Sequence, residues 1–188
     1  KILSFGSHKK SNICIRKLKK VGDYEKIYVT VKSKKISFEI KDLNIYNVLA
    51  SLAVLSELKV NFSKIISKFK KIESSEGRGK KYFISRYRKK FKFIDESYNA
   101  NPLSVKYAIN KLGSIKKEKF KKYLILGDML ELGKKTKKYH QELSKVINNS
   151  DIDKVFVKGK KTIFTYKYLN KDKRGNILQN NEDIDLSL

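Results

Sequence analysis

The feature that most constrains the fold lies in the second half of the chain, where short apolar runs alternate with amphipathic helical stretches. Residues 91–94 (FKFI) run into Asp95, residues 123–126 (YLIL) into Gly127-Asp128, and residues 155–157 (VFV) stop near Gly159. Between the first two runs, Asn101-Pro102 supplies a helix N-cap followed by proline at the first helical position. Val105, Ala108, Ile109 and Leu112 then fall on one helical face, and after the second run Tyr139, Leu143, Val146 and Ile147 do the same. Apolar strands separated by crossover helices predict a mainly parallel, Rossmann-like sheet in an α/β fold. Ligands of such a sheet lie beyond the carboxyl ends of its strands, which is where Asp95, Asp128 and Gly159 are expected.

The first half follows a different rule. Segments 12–16, 27–31 and 36–40 alternate as strands of a small antiparallel meander, with turns at Gly22-Asp23 and residues 33–35. The next stretch, NIYNVLASLAVLSEL, places Ile45, Val48, Leu49, Leu52 and Leu55 on one helical face and leaves Ala50, Ala53 and Val54 on the others, which predicts a buried helix. A second helix is expected over 63–72, with Ile65, Ile66 and Phe69 inward. Residues 73–81, ESSEGRGKK, lack periodic apolar residues, and this break divides the chain into expected domains at 1–76 and 77–188. Arg78, between Gly77 and Gly79, reads as the centre of a hinge. After Gly175 only Ile177-Leu178 suggests a further strand, followed by the acidic residues 180–185, so the sheet is expected to stop before it is complete.

Charge raises a separate question. The 188 residues carry a net charge of +26, an excess that can mark a nucleic-acid binder. Residues 1–76 hold 17 basic and 7 acidic side chains and residues 77–188 hold 28 and 12, so no single tail or patch concentrates the charge. Only five of the 45 basic residues are Arg, the residue suited to base-edge and bidentate phosphate recognition. Lysine spread over solvated faces is therefore favoured over specific nucleic-acid binding. The longest apolar stretch, 48–55, is interrupted by Ser51 and falls far short of the roughly 20 residues of a membrane span. A lone cysteine, Cys14, and the lack of paired Cys/His spacing exclude an internal disulfide and a zinc site, and favour the cytoplasm. An N-terminus without Met or a secretory layout reads as the interior of a longer protein.

Two strings carry more specific information. FIDESYNANPLSVKYAINKL, residues 93–112, is followed about a dozen residues later by YLILGDMLELG, residues 123–133. In order and spacing they resemble the Mur ligases, and within that family the ligases that add D-alanyl-D-alanine to a UDP-linked muramoyl tripeptide. His140, the GRG of residues 77–79 and the Asn-x-x-Asn of Asn44 and Asn47 also fall where the family carries such residues. The resemblance implies a cytoplasmic, ATP- and Mg2+-dependent enzyme of cell-wall precursor synthesis. This chain would be the end of its central ATPase domain and much of its C-terminal domain. It implies two substrates, UDP-N-acetylmuramoyl-tripeptide and D-alanyl-D-alanine, with the tripeptide carboxylate phosphorylated by ATP before the dipeptide amine attacks. Three departures stand out. No GxxxxGK[ST] phosphate loop occurs, Leu43 stands where a His often precedes the first Asn, and the Lys-Gly-Ser-Arg type of closing segment is lacking.

By the same resemblance, Asn44 and Asn47 would present amides to the adenine and Arg78 would meet phosphate charge. Asp95 would accept hydrogen bonds from the ribose, and Tyr98, Asn99 and Asn101 would line the cleft at the reacting groups. Asp128, on the loop 128–133, would face the dipeptide. Each role has a structural competitor. Asn44 and Asn101 equally suit helix N-caps, Asp95 a turn, Arg78 a solvated linker, Asp128 and Glu131 the ordering of their loop, and His140 a structural hydrogen bond. A different function class, a basic α/β module that binds RNA or acidic partners, lacks Arg interleaved with aromatics on one surface.

Overall fold

The computed structural model describes residues 2–86, 88–117 and 120–179. The chain divides into two compact units, Lys1–Glu96 and Ser97–Leu188.

In the first unit, strands β1 (Phe5–Gly6), β2 (Ile13–Val21), β3 (Tyr24–Val31) and β4 (Lys34–Ile40) form one sheet in that order. The expected antiparallel meander is β2–β3–β4, and β1 adds a parallel edge pair to β2. Strict alternation along β3 buries Ile27, Val29 and Val31 beside Ile13, Phe38 and Ile40. Helix α1 (Ile45–Glu57) closes this face with Val48, Leu49, Leu52 and Ala53. The expectation of a wholly buried helix is corrected here: Val54 is 60% exposed and Tyr46 51%, because the small sheet covers one side only. The single helix expected over 63–72 divides into α2 (Phe62–Ile65) and a 3-10 stretch, Ile66–Lys71. In that tighter winding Phe69 packs on Phe38 at 4.8 Å between ring centroids, while Lys70 reaches Glu39 at 2.6 Å and the Tyr24 ring at 4.3 Å.

A second correction concerns residues 91–94. Their strand, β6 (Lys89–Asp95), does not enter the parallel sheet but pairs antiparallel with β5 (Lys80–Arg86), a strand that the sequence reading left unassigned. The register explains the pairing, since Tyr82 faces Phe93 and Ile84 faces Phe91, so these four apolar residues share one face, while Phe83 lies exposed on the other. The break at 73–81 and the β5–β6 hairpin lie within the first unit, whose compact division falls after Glu96, and both sides of the break are tied to Asp42. Ser74 Oγ donates to the carbonyl of Asp42, and Lys81 Nζ pairs with the Asp42 carboxylate.

The second unit holds the parallel sheet, β7 (Tyr123–Gly127), β8 (Lys154–Lys158) and β9 (Arg174–Ile177), hydrogen-bonded in that order. Helices α3 (Pro102–Ser114) and α4 (Thr136–Asn148), the short α5 (Ile163–Tyr166) and 3-10 turns at Gly133–Lys135 and Lys171–Lys173 accompany it. Ile109, Leu126, Met129, Leu143, Ile147, Val155 and Val157 form the core. The α/β fold with a parallel sheet is as expected, while the strand expected at 177–178 lies earlier, at Arg174–Ile177, and includes only Ile177 of the expected pair. The acidic residues 180–185 lie outside the described residues.

The far end of this sheet is fastened by a buried cation. Lys122 is 2% exposed, and its Nζ donates to the carbonyls of Gly113 at 2.9 Å and Ile115 at 2.8 Å and pairs with Asp151 at 2.8 Å. It thus satisfies carbonyls at the C-terminal end of α3 while tying them to the strand ends. Asp153 accepts from the Lys122 backbone N–H at 2.7 Å and pairs with Lys117 at 2.5 Å. The hydrogen bond from Lys122 holds the Asp151 carboxyl below its ordinary range, and that from Lys117 does the same for Asp153. Carboxylates with lowered folded pKa values stabilise above the ordinary aspartate pKa, and that contribution is lost as pH falls through the lowered values. Amide hydrogen exchange in β7 and β8, corrected for its intrinsic pH dependence, should therefore show protection declining only in this acid window. Lys122→Met should lower protection at neutral pH by about 1 kcal/mol or more, because it leaves two partly buried carbonyls without the cation, and should flatten the acid decline. Unchanged protection in Lys122→Met would show that the cation fastens nothing.

Candidate functional site

The candidate residues occupy loops that leave strands or enter helices, and each loop is fixed by hydrogen bonds to its own backbone. At the end of β6, Asp95 Oδ2 accepts from the Gly77 N–H at 3.0 Å, and the Asp95 carbonyl accepts from the Gly79 N–H at 2.7 Å. The Arg78 N–H donates to the Ser75 carbonyl at 3.1 Å. Gly77 and Gly79 are buried with φ of 68° and 90°, a backbone region that glycine enters without a Cβ penalty. Arg78, between them, is exposed. A Cβ on Gly79 would also lie 3.0 Å from Glu96 Oε1. In the structure the segment expected to act as a hinge forms a turn whose N–H groups have acceptors on β6 and just before the turn itself. Glu96, the second acid of the motif, was not among the expected site residues, although its place beside Asp95 in DESYNANP was the available signal.

Asn44 caps α1, its Oδ1 accepting from the Tyr46 N–H at 2.9 Å, and Asn47 lies exposed one turn on. The cap is the structural competitor named above, and an adenine contact by Asn44 would have to coexist with it.

In the second unit, residues 97–101 lead into α3. Tyr98 is 67% exposed, and Asn99 Oδ1 accepts from the Ala100 N–H at 2.8 Å. Asn101 closes the segment with a capping box: its Oδ1 accepts from the N–H groups of Leu103 and Ser104, and Ser104 Oγ accepts from the Asn101 N–H. Pro102 follows at the first helical position, so the sequence reading of this helix start holds.

The loop after β7 is held from two sides. Asp128 Oδ1 accepts from the N–H groups of Lys161 at 2.9 Å and Thr162 at 2.8 Å, which binds this loop to the one after β8. Gly159, at φ 120°, is required at the crossing, since a Cβ there would come within 2.4 Å of Asp128 Oδ1. His140, fully buried, accepts at Nε2 from the Met129 N–H at 3.0 Å and donates from Nδ1 to the Thr136 carbonyl at 2.8 Å. These partners select the Nδ1–H tautomer. The His140 carbonyl in turn accepts from Thr165 Oγ1 at 2.7 Å. His140 is therefore a structural pin. The sequence reading placed Gly159 at a strand end but missed Thr162 and the two backbone donors that Asp128 engages, because no local string signals a contact 33 residues away. Glu131, with φ of 59°, and Gly133, with φ of 55°, turn the loop back toward α4.

Among the described residues no group of three His, Cys, Asp or Glu side chains could hold a metal ion, and no helix is long and apolar enough to cross a membrane.

With this geometry in view, similarity to known proteins is informative. Residues 83–174 match the family described as "Mur ligase, glutamate ligase domain". The UDP-N-acetylmuramoyl-tripeptide–D-alanyl-D-alanine ligase of Bacillus subtilis (strain 168) is 46% identical over 67 residues, which is 36% of this chain and 14% of that protein. The ligase of the same name from Rickettsia prowazekii (strain Madrid E) is 28% identical over 171 residues, 89% of this chain and 37% of that protein. Among solved structures, the MurF ligase of Thermotoga maritima in complex with ADP superposes with a TM-score of 0.77 at 22% identity, over 98% of this chain and 41% of that one, and so shares its fold. The chain spans at most 37% of the length of these two curated relatives. A domain match over residues 83–174, two relatives of one name and a common fold agree: this chain is similar to the Mur ligases, and residues 83–174 match their glutamate ligase domain.

Proposed function

We propose that the protein carrying this chain joins D-alanyl-D-alanine to UDP-N-acetylmuramoyl-tripeptide at the expense of ATP, in the cytoplasm, as a step of cell-wall precursor synthesis. One observation carries the reading. The strings DESYNANP and GDMLELG, which resemble the D-alanyl-D-alanine-adding ligases, sit in this chain as ordered loops at the carboxyl ends of β6 and β7. On this reading residues 1–76 are the end of the central ATPase domain and 77–188 much of the C-terminal domain, with residues 77–96 counted in the first compact unit.

The chemistry needs little from the protein beyond binding and charge stabilisation. ATP phosphorylates the tripeptide carboxylate, the dipeptide amine attacks the acyl phosphate, and phosphate leaves. Arg78, exposed at the tip of its turn, is suited to meet phosphate charge. Asp95 is placed beside the nucleotide, and the exposed first turn of α1 with Asn44 and Asn47 beside the adenine. Tyr98, Asn99 and Asn101 are assigned to the reacting groups and Asp128 to the dipeptide side. Mg2+ and the ATP phosphates are assigned mainly to residues outside this sequence. The phosphate loop is likewise not in this sequence.

Two outcomes are expected. Full-length protein given ATP, Mg2+, UDP-N-acetylmuramoyl-tripeptide and D-alanyl-D-alanine should release phosphate and form the pentapeptide product by mass spectrometry, while the 188-residue chain alone should release none; a full-length protein with no ATP-dependent product would overturn the reading. Asp128→Ala and His140→Ala should each raise the KM for the dipeptide roughly tenfold or more with a smaller change in the KM for ATP, since each releases backbone donors that fix the loop after β7. An equal rise in both constants would remove that loop from the dipeptide side.

A further inference from the structure

We propose that Asp95 is a positioning residue that serves ligation through Arg78, by fixing the turn on which the guanidinium is carried. The inference rests on the ligase reading above and goes beyond the direct nucleotide contact assigned to Asp95 there. Three backbone donors of one short turn have their acceptors in place: Gly77 N–H on Asp95 Oδ2, Gly79 N–H on the Asp95 carbonyl, and Arg78 N–H on the Ser75 carbonyl. Two of the three acceptors belong to Asp95, and the first is a carboxylate oxygen, which makes that bond charge-assisted. Glycine is the residue with the most backbone freedom to lose. A Gly-Arg-Gly segment without these bonds would therefore spread Arg78 over many directions, whereas with them both glycines are held in buried, positive-φ conformations and only Arg78 projects to solvent. The strand supplies the rigidity, since Asp95 is the last residue of β6 and pairs with Lys80 of β5 directly after the turn. Turn and strand end are one closed unit, in which the acid sets the direction of the base.

The test uses the full-length protein with Asp95→Ala, Asp95→Asn, Arg78→Ala and the double variant Asp95→Ala/Arg78→Ala. Amide exchange at Gly77 and Gly79, read by NMR or by fragment mass spectrometry, should speed up roughly tenfold or more in Asp95→Ala. It should stay at the parent rate in Arg78→Ala, and Asp95→Asn, which keeps a neutral acceptor, should restore most of the protection. In steady-state ligation Asp95→Ala and Arg78→Ala should lower kcat/KM for ATP, the double variant should be no slower than the slower single variant, and Asp95→Asn should recover much of the loss. Losses that multiply in the double variant, or exchange at Gly77 that ignores Asp95→Ala, overturn the inference while leaving an active parent as a ligase. A parent without ATP-dependent ligation overturns the ligase reading, and the inference with it.

Discussion

Backbone N–H groups in loops that leave a packed sheet must find acceptors, and in this chain a few side chains supply them. Asp95 receives Gly77, Asp128 receives Lys161 and Thr162, Asn101 receives Leu103 and Ser104, and His140 receives Met129. An unpaired donor in such a place costs on the order of 1–3 kcal/mol, comparable with the burial of a small apolar side chain. The loops therefore keep one shape only while these acceptors are present. The core beneath them, Leu126 and Val157 on the strands with Leu143 and Ile147 on α4, fixes where the strands end, but it does not dictate what the chain does next.

The same logic accounts for a chain so rich in lysine. Most of the charge stays at the surface, where an ion pair contributes little, as between Lys32 and Glu57 or Lys106 and Glu142. Lysines also lie over aromatic rings, Lys70 on Tyr24 and Lys92 on Phe83. Lys122 differs from these in being buried, and it is tolerated because two carbonyls and a carboxylate receive its three protons. Net charge alone would have suggested a polyanion as partner. The residues with specific geometry are instead an acid at Asp95, an acid at Asp128, an imidazole and an amide, all engaged with backbone.

Much of this was legible in the sequence because the signals are local. Asn101-Pro102 announced a helix start that a capping box confirms, the runs at 123–126 and 155–157 became β7 and β8, and the alternation in 27–31 became the buried face of β3. The failures share a different cause. The strand β5 was missed because RYRKK carries no turn residue of the usual kind, although Arg88 adopts φ of 58° there. Its partner was then assigned to the wrong sheet, since a short apolar run does not say which neighbour it pairs with. The exposure of Val54 was not readable, because nothing in a periodic pattern reports how wide the opposing sheet is. The site divides in the same way: residue types and order were readable, and the acceptor that each backbone donor finds was not.

That division bears on how a family motif is read. An acid in a motif can be required because it touches the ligand or because it shapes the backbone that does, and resemblance alone cannot separate the two. Geometry can, because a hydrogen-bond acceptor has a limited number of directions, and those already engaged are visible. Asp95 has Oδ2 on Gly77 and its carbonyl on Gly79, and Asp128 has Oδ1 on two successive N–H groups. In both, the engaged acceptors face the protein, which ties each acid to the shape of a neighbouring loop. Glu96 stands differently. Its carboxylate lies against the turn at Gly79, 3.0 Å from where a Cβ would stand, at a residue whose φ of 90° already favours glycine. Two glycines, an arginine and two acids thus form a single structural element, and the direction in which Arg78 leaves the turn is set by neighbours that carry no positive charge.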